Sequence, residues 1–182
     1  MKGFNRKNQF LSLCGLNCGL CPMFLNKNCP GCGGGEGNQS CRIARCSMEH
    51  RGVEYCCQCR EYPCEKYEHI DDFDSFITHR NRRADLEKIR KFGTEAYHTE
   101  QMEKIKILDI LLSGYNDGRK KPLFCVAVNL LNLQELKEAL REIESRPDME
   151  ILTLKEKSAF AAGVLSEIAS RRKVDLKLHR KK

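Results

Sequence analysis

The sequence predicts a mainly α protein, with an irregular cysteine-rich N-terminal module followed by a small helical bundle. Three observations lead there. Eleven of the twelve cysteines lie between Cys14 and Cys64, in a segment poor in Leu and rich in Gly. Beyond Cys64 the apolar residues recur at helical spacing. Two Asn/Thr-x2-Glu capping signatures stand before the last two apolar stripes. The expected parts are 10–68 for the module, 69–175 for the bundle and 176–182 for a basic tail.

Along the bundle, "DDFDSFITHRN" reads as a short helix beginning near Asp71 or Asp72, and "RADLEKIRKFG" continues to a stop at Gly93. Thr94 is placed to cap a helix over about 95–113, with Met102, Ile105, Leu108 and Leu112 as its stripe. "GYNDG" breaks that helix. From Pro122, "LFCVAVNLL" fits a buried helix or strand; a helix is preferred because two more follow. Asn132 with Glu135 caps the next, whose stripe is Leu133, Leu136, Leu140 and Ile143. Pro147 closes that unit, and Thr153 with Glu156 caps a final helix bearing Phe160, Val164, Leu165 and Ile168.

The 182 residues carry a net charge of +7. Seven Lys/Arg against one Asp fall in "RRKVDLKLHRKK", so the basicity is concentrated in the tail. Such a tail fits a solvated helix end first and a phosphate contact second. "HRNRR" at 79–83 and "NDGRKK" at 116–121 add local cations, which the sequence cannot place beside the tail. No apolar run reaches the roughly 20 residues of a membrane helix, and no export signal is visible. Dense thiols without an export signal suit metal ligation in a reducing cytoplasm.

Three C-x2-C pairs, 18/21, 29/32 and 56/59, each let one tight turn present two thiolates to one ion. The segment has few large apolar side chains, and structural zinc can supply about 10–16 kcal/mol of apparent binding energy in small peptides. Zinc is therefore the expected cofactor, in about two four-thiolate sites. The pairing expected from the shortest loops joins Cys29 and Cys32 with Cys41 and Cys46, leaving Cys18, Cys21, Cys56 and Cys59 for a second site. Cys14 and Cys64 then remain, either exchanging into a site or completing a third with His50 or His69.

Other chemistries fit less well. Cys14, Cys18 and Cys21 have the C-x3-C-x2-C spacing of radical S-adenosylmethionine enzymes, but no strand–helix alternation follows and "GGGE" comes too early. A closed iron–sulfur cluster remains the alternative cofactor, with electron transfer as its function; the ferredoxin run is absent. "CGGGEG" lacks the Lys-Ser/Thr of a phosphate loop. His50, His69, His79 and His98 show no H-E-x2-H spacing, and Cys125 in "LFCVAV" fits a buried inert thiol. No catalytic residue is assigned.

The strings "CGLNCGLCPMF", "CPGC" and "CRIARCSMEHRGVEYCCQCREYPCEKY" resemble the cysteine-rich family catalogued as domain of unknown function 3795, over about residues 12–68. "SFITHRNRRADLEKIRKFG" and "YNDGRKKPLFCVAVNLL" resemble the helical extension of its longer members. The resemblance implies zinc binding through Cys14, Cys18, Cys21, Cys29, Cys32, Cys41, Cys46, Cys56, Cys59 and Cys64, with Cys57 outside the pattern. It implies no activity. The expected function is structural metal binding that orders a docking surface for a protein partner. A nucleic-acid-binding regulator is the further alternative, supported only by the basic tail.

Overall fold

A computed structural model describes residues 2–35, 41–50 and 52–181. The end of the "CGGGEG" loop, from residue 36, and the last tail residue lie outside them. The described residues form seven α-helices and no strand. They are α1 (Pro22–Leu25), α2 (Arg42–Glu49), α3 (Arg82–Phe92), α4 (Thr94–Gly114), α5 (Lys121–Leu130), α6 (Leu133–Glu144) and α7 (Leu154–Arg171).

The chain divides into two compact units, Met1–His98 with Leu178–Lys182, and Thr99–Lys177. The expected boundary at 68/69 is thus displaced to 98/99, within the first turns of α4. The cause is packing. Leu86 and Ile89 of α3 and Tyr97 of α4 are buried in one cluster with Leu11, Tyr55 and Tyr67. A second cluster joins Phe4 and Leu13 to Ile43 and Ala44 of α2. The cysteine-rich segment therefore borrows apolar surface from the helices that follow it, and it is not coreless.

Polar ties hold this first unit together. Gly15 sits at φ +93°, and a Cβ there would fall 2.5 Å from the Arg82 carbonyl oxygen, so only glycine lets the chain pass this close to α3. Two residues on, Asn17 Nδ2 donates to Asp85 Oδ2 at 2.7 Å, and Tyr97 Oη donates to Asn17 Oδ1 at 3.2 Å. Arg6 lies under the surface. Its guanidinium donates to the carbonyl oxygens of Leu11 at 2.6 Å and Glu54 at 2.7 Å, and lies 5.0 Å from the centre of the Tyr55 ring. Its ion pair with Glu54, at 3.2 Å, compensates the buried charge.

The expected short helix over 71–81 does not form; the chain there runs in turns and bends. It wraps around Asp74, whose side chain is 1% exposed. Asp74 Oδ1 accepts from the His79 amide at 2.7 Å and from Thr78 Oγ1 at 3.3 Å, and its Oδ2 accepts from the His179 amide at 2.9 Å. The Asp74 amide in turn donates to the His179 carbonyl at 2.7 Å. This reciprocal pair brings the end of the tail into the first unit. It also competes with helical bonding, because an Asp side chain that takes nearby amides favours turns.

Beyond these turns the helix ends follow their sequence signals in both units. Gly93, at φ +87°, ends α3 with its amide bonded to the Ile89 carbonyl. Asn132 and Glu135 close a reciprocal capping box on α6, as Thr153 and Glu156 do on α7. α7 packs against α5 and α6. Six consecutive residues of α5, Phe124–Asn129, are buried, so this helix is central rather than amphipathic. α4 departs from expectation. Met102 is exposed and Ile105 and Leu112 half-buried, whereas Gln101, Lys104, Leu108 and Leu111 are buried. Lys104 explains the rotation: its Nζ donates to the carbonyl oxygens of Leu131 at 2.8 Å and Asn129 at 3.4 Å, at the C-terminal end of α5, where a cation is favoured.

Candidate metal centre

All twelve cysteines are free thiols. Two of the C-x2-C pairs adopt the same local geometry. Cys18–Leu20 and Cys56–Gln58 are single 3-10 turns, closed by the Cys21 amide on the Cys18 carbonyl at 2.9 Å and the Cys59 amide on the Cys56 carbonyl at 3.0 Å. In a 3-10 turn, residues three apart fall nearly above one another. The third pair, Cys29 and Cys32, is folded against residues 6–9. Gly33, at φ +78°, leaves no room for a Cβ, which would sit 2.7 Å from the Arg6 side chain.

The thiols fall into two neighbourhoods. In one, Cys46 of α2 meets Cys56 and Cys59 of the second turn and Cys64 beyond it, around a cavity of about 30 Å³ that His50 also lines. These residues come from three stretches of chain: a helix, a turn and the segment leading to Glu65–Tyr67. In the other, Cys18 lies near Cys32, Cys14 and Cys21, and Cys21 lies near Cys29. The grouping expected from loop length, Cys46 with Cys29 and Cys32, is not the one found at the cavity. α2 carries Cys46 to Cys56, Cys59 and Cys64, because Ile43 and Ala44 on the same helix are buried beside Val53 and Cys56.

Cys14 stands between the neighbourhoods, near Cys18 and Cys32 on one side and Cys56 on the other. Its sulfur is 3.2 Å from Ser12 Oγ. Cys41, the exposed N-cap of α2, lies outside the cavity lining. Cys57 packs in the Tyr55–Leu86 core, and Cys125 is buried in α5.

Burial dominates the acidity of these thiols. It pushes Cys18 and Cys56 up to about 12 and raises Cys21, Cys32 and Cys46 as well, since a bare thiolate is disfavoured away from water. Several donors oppose that trend. The Cys32 amide donates to the Cys18 sulfur, and the Met23 and Phe24 amides donate to Cys21. The Arg6 guanidinium faces Cys32, and the Tyr67 hydroxyl faces Cys56. Amide and cationic donors aimed at sulfur suit thiolates that hold a cation. Grouped free thiols with such donors fit zinc or iron in donor chemistry. No three His, Cys, Asp or Glu side chains among the described residues converge as a coordination shell.

The histidines separate clearly. At His50, Nδ1 lies 2.9 Å from the Cys46 carbonyl oxygen and Nε2 lies 3.6 Å from Glu61. His69 pairs with Asp72 at 3.0 Å on the surface. His79 bridges the Ile70 carbonyl and Ser75 Oγ. His98 Nε2 lies 2.6 Å from Tyr55 Oη and 2.9 Å from Asn8 Nδ2. Asn8 Oδ1 already accepts from the Phe10 and Leu11 amides, so Nδ2 is the donor and His98 Nε2 the acceptor. Burial lowers the His98 pKa, in keeping with a neutral ring.

Fold and site define the class: a mainly helical, two-unit protein with a thiol-rich centre in its first unit. No family model, curated protein or solved structure matches the chain. No helix is long and apolar enough to cross a membrane.

Proposed function

We propose that the first unit is a structural zinc-binding module with two four-thiolate sites, Cys18/Cys21/Cys29/Cys32 and Cys46/Cys56/Cys59/Cys64, whose ordered surface docks a protein partner. The observation that carries this reading is the second group: four free thiols from three stretches of chain around one small cavity. The twin 3-10 turns and the amides aimed at Cys18 and Cys21 support it. The resemblance to the domain of unknown function 3795 family over residues 12–68 points to the same chemistry.

Bound zinc supplies the positive charge that lets buried thiols deprotonate together. The chain's own work is to bring the sulfurs near one another: α2 delivers Cys46, and the turns deliver their pairs. Tyr67 and Arg6 stand beside Cys56 and Cys32 as polar neighbours. On this assignment Cys14 and Cys41 are left as spare donors beside the two sites, and His50 is a neighbour of Cys46 rather than a ligand.

Elemental analysis of protein prepared without oxygen or added metal tests the reading. It predicts colourless protein with about two zinc ions per chain, falling to about one in Cys59→Ser or Cys21→Ser and to none in the double variant. A brown preparation with iron, sulfide and absorbance near about 400 nm would replace zinc by an iron–sulfur cluster. Metal-free native protein would end both readings.

A further inference from the structure

The buried Asp74 carboxylate joins two segments that are far apart in sequence. One is the loop 70–80; the other is the tail from Leu178 onward. Asp74 and His179 exchange bonds, the Asp74 amide to the His179 carbonyl at 2.7 Å and the His179 amide to Asp74 Oδ2 at 2.9 Å. The two segments are therefore brought to one region of the first unit. Next to Asp74 stand Phe73 and, two positions on, Phe76; next to His179 stand Arg180 and Lys181.

Both phenylalanines are turned to solvent, Phe73 at 46% and Phe76 at 58% exposure. Arg180 and Lys181 are exposed as well. Arg80 lies at the same point, its Nε 3.9 Å from Asp74. Two of the loop's three carboxylates are already engaged by other groups. Asp71 is engaged by Arg82 at 3.3 Å and Arg83 at 3.2 Å, Asp72 is paired with His69, and Asp74 is enclosed. Asp71 and Asp74 brace the loop from within, Asp72 stays at the surface with His69, and the rings and cations are exposed.

We propose that this surface, Phe73 and Phe76 with Arg180 and Lys181, binds single-stranded nucleic acid. Exposed aromatic faces accept bases by stacking, and adjacent cations accept the phosphates that join them. A polymer that alternates flat rings with negative charge is complementary to both features at once. Unpaired bases are required, because rings within a duplex are not accessible to stack on a protein side chain. The surface uses none of the thiols, so it stands or falls independently of the metal reading.

The experiment is fluorescence anisotropy of labelled 12-mers of oligo(dT) and oligo(U) with the full chain, over a range of salt. The wild type binds, and affinity falls with salt. Phe76→Leu keeps apolar area but removes the ring face, and weakens binding about tenfold with the salt slope unchanged. Arg180→Ala with Lys181→Ala lowers the salt slope by about 1.4, two phosphates at about 0.7 each. Both sets of side chains are exposed, and matching far-UV circular dichroism verifies that the variants are folded. Phe73→Leu provides the same test at the second ring. Absence of binding at low salt overturns the proposal. So does binding that neither ring variant changes, which would be tail electrostatics alone, or binding to phosphatidylserine vesicles without binding to either oligonucleotide.

Discussion

The two units bury polarity in opposite ways. In residues 99–177 the only buried charge among the described residues is Lys104, and it ends on carbonyls at the close of a helix. The remainder of that interior is largely Leu, Ile, Val and Ala from α4 to α7. The first unit instead buries Arg6, Asp74, Arg82 and Asp85, and its largest interior side chains include Tyr55 and Tyr97. Its bonds also span long stretches of chain, such as Arg6 to Glu54, Asn17 to Asp85 and Asp74 to His179. Locally specified helices hold one unit, and specific distant partners hold the other. The first kind tolerates small losses, whereas the second loses stability sharply when one partner is removed.

That contrast predicts a ranked series. Arg6→Ala strands the Leu11 and Glu54 carbonyls and removes the cation paired with the Glu54 carboxylate, and should cost the first unit about 4 kcal/mol. Hydrogen exchange should show lost protection in residues 2–98 and unchanged protection in α6 and α7; loss in both units would dissolve the distinction. Ile143→Ala, at a fully buried position of α6, should cost the second unit about 3 kcal/mol by opening a cavity. The same measurement should now report the reverse pattern. The smallest effect is Asn132→Ala, which removes one half of the α6 capping box and should cost about 1 kcal/mol in chemical denaturation.

The same division decides what could be read from the sequence. Gly93, Asn132 and Thr153 marked helix ends correctly because each acts on its own next turn. The stripe of α4 was displaced because a buried Lys104 is invisible to a search for apolar residues. The loop at 71–81 looked helical, but Asp74 is claimed by His179, a partner no local window contains. α2 escaped notice inside the cysteine-rich segment, although Ile43, Ala44 and Ser47 form a short buried face that would have marked it. The same helix decides which thiols stand beside Cys46 at the cavity. The C-x2-C turns themselves were legible because that spacing is a property of one turn; which thiols come near one another is a property of the whole unit.

The bond between Asp74 and His179 closes over 105 positions. During synthesis the first unit thus leaves the ribosome with a carboxylate prepared for an amide that has not yet been made. Its final closure comes only after the whole helical unit has been translated, so the part that starts first is finished last.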